Sequence, residues 1–368
     1  MKHNIDQPSR QTIRNILVYG AGVLGSLYAG KLHQAGFEVT LLARGKRLIE
    51  LNEQGLVLIE DSSTKLEHIP VRITDRLAPE DGYDLVLVVV RKNQLTSVLP
   101  ALAANKGTPN VLFLVNNAQG PAELIQALGS ERVLLGFPGA GGQRLDGIVR
   151  YKLTARSLQV TTIGERDGQK TERIEAIARM LEKAGFPVAI SDQMDAWLKT
   201  HAVVVSPVAN ALYLAGGSNY RLARTRDGLL LMIRAVKEGL RALHALDVPI
   251  TPVKYRLLEW IPEPLLLAVL RIGFATPQAE LVLARHANAA RDEMSVIDEE
   301  VRALARRSGV ATPAMNALSC YLDPAFPTLP EGQARLPIEW RPIAAWVGAL
   351  LFVTTLTGWL NTKTGKRK

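Results

Sequence analysis

The 368-residue sequence contains a single cysteine, Cys320. One thiol excludes an intramolecular disulfide framework and a cysteine-rich metal site, and it fits a reducing compartment. The six histidines (His3, His33, His68, His201, His244 and His286) show no close pair at a metal-ligand spacing such as HExxH. Aromatic residues make up only 5% of the chain. No aromatic RNA-binding motif, basic helix or zinc-finger spacing accompanies the net charge of +9. The cations are scattered, which argues against a nucleic-acid partner and for a general attraction to anionic cofactors, metabolites or membrane surfaces. The N-terminus, MKHNIDQPSRQTIRN, lacks the apolar core of a signal peptide, so the first domain is expected in the cytoplasm. Neither a repeat nor a low-complexity tract is visible.

Hydrophobic residues at 47% with charged residues at 21% describe a folded chain long enough for two domains. Its most informative stretch is ILVYGAGVLGSLYAGKLHQAGFEVTLLAR, from Ile16 to Arg44. Ile16 to Tyr19 form an apolar run that ends in Gly20-Ala21-Gly22-Val23-Leu24-Gly25. A helical pattern to Gln34, a stop at Gly36 and a second apolar run from Val39 to Leu42 follow. That order is the dinucleotide-binding βαβ unit. Gly20 permits the tight turn, Gly22 lets a pyrophosphate approach the backbone, and Gly25 lets helix and strand pack closely. The start of the helix offers free N–H groups to phosphate. Where an NAD site usually carries Asp or Glu, this chain reads Arg44-Gly45-Lys46-Arg47. A guanidinium there suits a 2′-phosphate, so NADP(H) is the expected cofactor, with Arg44 as its phosphate partner.

Further along, Leu56–Ile59 and Leu66–Ile73 read as short strands, and Asp84–Val90, Val111–Val115 and Arg132–Phe137 as strands buried on both faces. The last three end in Arg91-Lys92-Asn93-Gln94, Asn116-Asn117-Ala118-Gln119-Gly120 and Pro138-Gly139-Ala140-Gly141-Gly142, where ligands of open α/β sheets collect. Tyr151–Ile163 alternates like late antiparallel strands. Thr171–Ala184 is an amphipathic helix, and Pro187–Ser191 one more strand. Beyond residue 190 the pattern is helical: Ala196–Val205, Asp227–Leu246 and Ala279–Ser308. Pro264–Phe274 is too short to span a bilayer and reads as a buried helix or a lid. The expected fold class is α/β: an N-terminal Rossmann-type doubly wound sheet followed by an all-helical C-terminal domain. Expected boundaries are a polar leader 1–14, a cofactor domain 15–190, a helical substrate and dimerisation domain 191–325, and an extension 326–368.

With these elements in order, the chain resembles the ketopantoate reductase (2-dehydropantoate 2-reductase) family over roughly residues 15–322. The carriers are the GAGVLG turn, Arg44, the Arg91-Lys92-Asn93-Gln94 segment, Asn117 with Gly120, Trp197-x-Lys199, Glu293, and the Gly309–Pro313 turn. The resemblance implies NADPH-dependent reduction of a 2-keto acid in a cleft between the two domains. It makes Lys199 the general acid, Glu293 a partner of the substrate hydroxyl, and Asn117 a contact to both cofactor and substrate. The family's lysine after the buried strand becomes Arg91 or Lys92, and counting back from Gln94 favours Arg91.

The departures fall on the substrate side. Two asparagines of the family's lysine helix are replaced at Val203 and at Ser206-Pro207, and a carboxylate-binding serine at Leu281. Ser206, His286 and Asn288 are the available substitutes. A rewritten pocket makes a 2-keto acid or related carbonyl other than ketopantoate the expected substrate. The alternatives are a non-catalytic NADPH sensor and an oxidoreductase working from alcohol to ketone. The segment 343–360, IAAWVGALLFVTTLTGWL, carries no charge over 18 residues and is bounded by tryptophans and a basic end. It suits either a membrane surface, through 343–368, or an oligomer contact such as a homodimer.

Overall fold

The computed structural model describes residues 13–156 and 159–339. Most of the leader and the segment 343–360 lie outside the described residues. Ile13, assigned by sequence to the leader, is buried at 5% exposure, and Asp84 accepts the Arg14 and Asn15 N–H groups, so the fold begins earlier than expected.

In chain order the strands are β1 (Asn15–Tyr19), β2 (Glu38–Leu42), β3 (Leu56–Glu60), β4 (Glu67–Ile69), β5 (Arg72–Thr74), β6 (Leu85–Val88), β7 (Val111–Leu114), β8 (Val133–Phe137), β9 (Ala140–Leu145), β10 (Ile148–Leu153), β11 (Thr161–Glu165) and β12 (Val188–Ile190). Interspersed are α1 (Val23–Gln34), α2 (Gly45–Gln54), α3 (Leu95–Ala104), α4 (Ala122–Leu128) and α5 (Glu172–Lys183). The main sheet runs β12-β11-β8-β7-β6-β1-β2-β5. Its stretch from β5 to β8 is parallel throughout, and the order reverses between β1 and β6. That reversal opens a crevice at the carboxyl ends of β1 and β6, where a doubly wound sheet binds its ligand.

A second sheet, β4-β3-β10-β9, covers the far side of α1. Buried between two sheets, α1 needs small residues on two faces. A Cβ on Gly25 would stand 1.7 Å from the Gly20 carbonyl oxygen, and one on Gly30 would stand 2.6 Å from Leu58 Cδ1. The single strand expected over Leu66–Ile73 is corrected to two: Pro70, which has no N–H for a ladder, separates β4 from β5, and the two join different sheets. β9 was read as a glycine turn; its glycines pair with β10 instead.

Every element after β12 is helical: α6 (Met194–Leu214), α7 (Asn219–Arg224), α8 (Arg226–Ala245), α9 (Leu257–Trp260), α10 (Glu263–Phe274), α11 (Pro277–Ala279), α12 (Arg285–Ala289), α13 (Arg291–Ser308) and α14 (Pro313–Ser319). The helix expected to stop at Val205 runs on through Pro207 to Leu214. An interior proline costs about 3 kcal/mol, yet α6 is buried against α8, α13 and α14, and that packing outweighs it. The helix expected over Ala279–Ser308 is broken: a π-helical turn covers Glu280–Ala284, and Ala290 leaves helical geometry at φ −131°. α10 is buried on one face only, since Leu265, Val269 and Ile272 stand 56%, 60% and 73% exposed. No single helix among the described residues is long and apolar enough to cross a membrane.

Candidate active site

Four chain segments meet at the carboxyl edge of the sheet. β6 leads into Arg91-Lys92, and β7 leads into the Asn116–Gly120 turn. From the helical half come the first two turns of α6 with Asp195 and Lys199, and the start of α13 with Asp292 and Glu293.

The break at Ala290 has a purpose in this meeting. It leaves the Ala289 carbonyl unpaired within its helix, and Arg91 Nη2 donates to it at 2.8 Å. Arg91 also grips Asp292 at 2.9 Å, and Glu293 Oε1 accepts from the Lys92 N–H at 3.2 Å and from Asn116 Nδ2 at 3.1 Å. A cation thus meets a helix C-terminus and two acids occupy a helix N-terminus, the favourable sense at each end. Counting from Gln94 favoured Arg91 as the counterpart of the family's lysine, and of the two cations it is Lys92 that the structure buries. Arg91 lies 42% exposed on the seam, whereas Lys92 is 7% exposed, with Nζ 3.0 Å from Glu300 Oε1 and 3.3 Å from Asn117 Oδ1. Glu300 is itself buried at 3% and accepts the Ala118 N–H at 2.8 Å.

Asn117 is engaged on both sides, since its Nδ2 donates to the Gly120 carbonyl at 2.8 Å. Gly120 has φ +94°, and a Cβ there would lie 3.2 Å from Asp195 Oδ1 and 3.6 Å from Lys199 Nζ. The turn is therefore glycine both for its backbone and for the close approach of α6. Lys199, 13% exposed, forms an ion pair with Asp195 one helical turn earlier, and Asp195 Oδ1 has no hydrogen-bond partner. Lys199, Asn117 and Glu293 are thus gathered at one sheet edge, with Lys92 beneath them.

Beside this cluster, His201 stacks on Trp197 at 5.3 Å between ring centroids and lies 4.1 Å from Phe137. Burial, with His286 nearby, pushes the His201 imidazole down to about 4. His286 is exposed, and its pKa is lowered by desolvation and by Arg91 against the opposing pull of Glu293. A depressed histidine stays neutral when folded while the unfolded chain takes up its proton below 6.5. Stability is therefore lost as pH falls from 6.5 to about 4, by on the order of 3 kcal/mol at most. In His201→Phe the difference in urea stability between about pH 7 and about pH 4.5 should shrink accordingly. An unchanged difference would mean that other groups carry that window.

At the other end of the crevice, Gly20 has φ +116°, and a Cβ there would meet the Val89 carbonyl at 2.4 Å. Above Gly22 there is only open space within 4 Å, and no side chain caps the start of α1. The arrangement fits the pyrophosphate of a dinucleotide, with the N–H groups that open α1, after Ala21 and Gly22 and around Val23, Leu24 and Gly25, as its donors. Arg44 closes the end of β2, exposed, with Nη2 2.6 Å from the Tyr19 hydroxyl. Arg47, read as part of the same basic loop, instead goes under the turn, donating to the Ala21 carbonyl and Ser26 Oγ, each at 3.2 Å.

Two sequence candidates are engaged elsewhere. Ser206 Oγ donates to buried Asp298 at 3.1 Å, and Asn288 Nδ2 to the Gly217 carbonyl at 3.0 Å. Val203 packs on Gly239 of α8, where a Cβ would stand 2.8 Å away, so that face of α6 is a helix contact. The residues missed were Asp195, Asn116 and Glu300. Asp195 was findable as an acid four positions before a lysine on one helix face. Glu300 stands two turns after Glu293, but nothing local marks it as the partner of Lys92.

A largely parallel sheet in dinucleotide order, with a glycine turn at its reversal and a helical half after it, is the architecture of an NAD(P)-dependent oxidoreductase. Residues 16–168 match the family model described as Ketopantoate reductase PanE/ApbA. A 2-dehydropantoate 2-reductase of Pyrococcus abyssi is 27% identical over 262 residues, covering 66% of this chain and 80% of the relative. By these matches the chain is similar to the ketopantoate reductase family, through its N-terminal half by the family model. Solved structures show the same fold. The 2-dehydropantoate 2-reductase of Geobacter metallireducens has a TM-score of 0.67 at 21% identity, covering 84% of this chain and 99% of that one. D-mandelate dehydrogenase with NADH and anilino(oxo)acetate has 0.66 at 20%, covering 83% and 96%.

Proposed function

We propose that the protein reduces the carbonyl of a 2-keto acid or related compound with NADPH, with Lys199 as general acid. The observation that supports this most directly is the position of Lys199 Nζ. It is held by Asp195 against the Gly120 turn at the carboxyl end of β7, on the edge that also carries Asn117 and Glu293. A bound reduced nicotinamide supplies hydride to a carbonyl carbon. As charge grows on the carbonyl oxygen, the Lys199 ammonium stabilises it and donates a proton. Asp195 holds the ammonium in position. Glu293, fixed by the Lys92 N–H and Asn116, has a second oxygen with which to accept from a substrate hydroxyl. His286, exposed and within the electrostatic reach of Glu293, is assigned to the substrate carboxylate in place of the family's serine.

The test is loss of NADPH absorbance across a panel of 2-keto acids, with the corresponding alcohols and NADP+ run in reverse. Turnover of one keto acid is the expected result. NADPH binding without turnover in either direction would favour the sensing alternative. Arg44 is assigned to the 2′-phosphate, so Arg44→Ala should weaken NADPH binding about tenfold, the scale of a charge-assisted hydrogen bond, and leave NADH within about twofold. Equal loss for both cofactors would remove Arg44 from that role. The segment 343–360 with its basic end is proposed as a peripheral attachment to an anionic membrane surface, with pairing of two copies as the competing arrangement.

A further inference from the structure

We propose that the outward face of α9 and α10 is a lipid-contact surface that seats the protein on an anionic bilayer. α10 is apolar on both sides. Leu266 and Phe274 turn into the helical core, at 6% and 4% exposure. Leu265, Ala268, Val269 and Ile272, spaced i, i+3, i+4 and i+7, form a second stripe that faces outward. Leu257 at 61% exposure and Trp260 at 71% extend it from the preceding turns. A soluble helix normally turns polar residues outward, so an apolar outer stripe with a tryptophan at its edge asks for a cover.

Charge selects the cover. Arg256 and Arg271 are exposed at the rim. The acids of the same stretch are both engaged: Glu263 is held by Arg234 at 2.8 Å, and Glu259 meets His244 at 3.1 Å. A rim of exposed cations around an apolar stripe matches a surface of anionic headgroups. A second copy of this chain would bring the same cations to the same face, and the chain's own tail ends in Lys363, Lys366, Arg367 and Lys368.

The path of the chain agrees. After α14 a strap runs along α8, with the Arg335 and Leu336 N–H groups donating to buried Asp227 at 2.7 and 3.1 Å and Arg234 donating to the Pro337 carbonyl at 2.6 Å. The Glu339 N–H then donates to Glu263 Oε2 at 3.2 Å. The strap thus delivers the chain to the start of α10, close in sequence to Trp260. From there 29 residues remain, including the uncharged 343–360 run and the basic end. One corner of the fold therefore carries an exposed apolar stripe, a cationic rim and the exit of an apolar segment.

The test is flotation of the full-length protein with phosphatidylcholine vesicles, with and without an equal part of phosphatidylglycerol. The wild type should float with the anionic vesicles and lose binding as salt is raised. The variant Trp260→Ala/Val269→Asn/Ile272→Asn should float about tenfold less, with NADPH binding unchanged. Arg256→Glu/Arg271→Glu alters only exposed positions, and it should also lose anionic-vesicle binding; it carries the test alone if the triple variant does not fold. Flotation of both variants at the wild-type level overturns the proposal, as does a wild type that ignores vesicles. A change from dimer to monomer in the variants without a change in flotation also overturns it, and makes a second copy the occupant.

Discussion

Lys199→Ala should lower kcat/KM on the keto acid that the wild type reduces by about a thousandfold, within the range typical of a general acid. Its NADPH affinity should stay within about twofold, because Lys199 lies at the Gly120 turn and Asp195, while the glycine turn and Arg44 form the far end of the crevice. Stopped-flow turnover and fluorescence titration of NADPH separate the two quantities. The loss should fall mainly on kcat, since the ammonium matters most once charge has formed on oxygen. Asp195→Asn should lose less, because the lysine keeps its charge and only its positioning relaxes. Full activity in Lys199→Ala would sink the mechanism, whatever the cofactor affinity.

Glu300→Ala should destabilise the fold by about 3–5 kcal/mol, the cost of leaving the other member of a buried ion pair without its partner. Lys92 is 7% exposed and Glu300 3%, so water cannot take over the lost interaction, and the Ala118 N–H loses its acceptor as well. Replacing both members by apolar residues of similar size, as in Lys92→Met/Glu300→Leu, should restore most of the stability. Activity should not return with it, because Lys92 Nζ also holds Asn117 Oδ1 at the sheet edge. Urea unfolding of the single and double variants checks the first claim, and turnover of the double variant the second. A Glu300→Ala loss below about 1 kcal/mol would show that the pair is solvated in solution.

How far the site could be read in advance depended on the range of the interactions. The glycine turn was legible because each glycine answers a backbone demand within a few residues, as the 1.7 Å approach at Gly25 and the φ of +116° at Gly20 bear out. Strands β6, β7 and β8 were legible because burial on both faces demands an unbroken apolar run. Lys199, Asn117 and Glu293 were expected from resemblance, and their meeting at one edge is a fact of the fold. Arg91 and Lys92 are adjacent in sequence, and no local rule says which turns inward. That was decided by the helix break at Ala290, whose free carbonyl and nearby Asp292 draw Arg91 to the seam and leave Lys92 for Glu300.

By itself the sequence determined the dinucleotide-binding unit, the buried parallel strands and the change to helices after residue 190, since these follow from local backbone needs and from hydrophobic period. Tertiary structure alone decided the distant partners: Arg47 beneath the turn, Ser206 against Asp298, Val203 against Gly239, and the Gly120 turn against the Asp195–Lys199 pair. A buried polar group must find a partner wherever the packing offers one, and most of these partners lie far away in the chain.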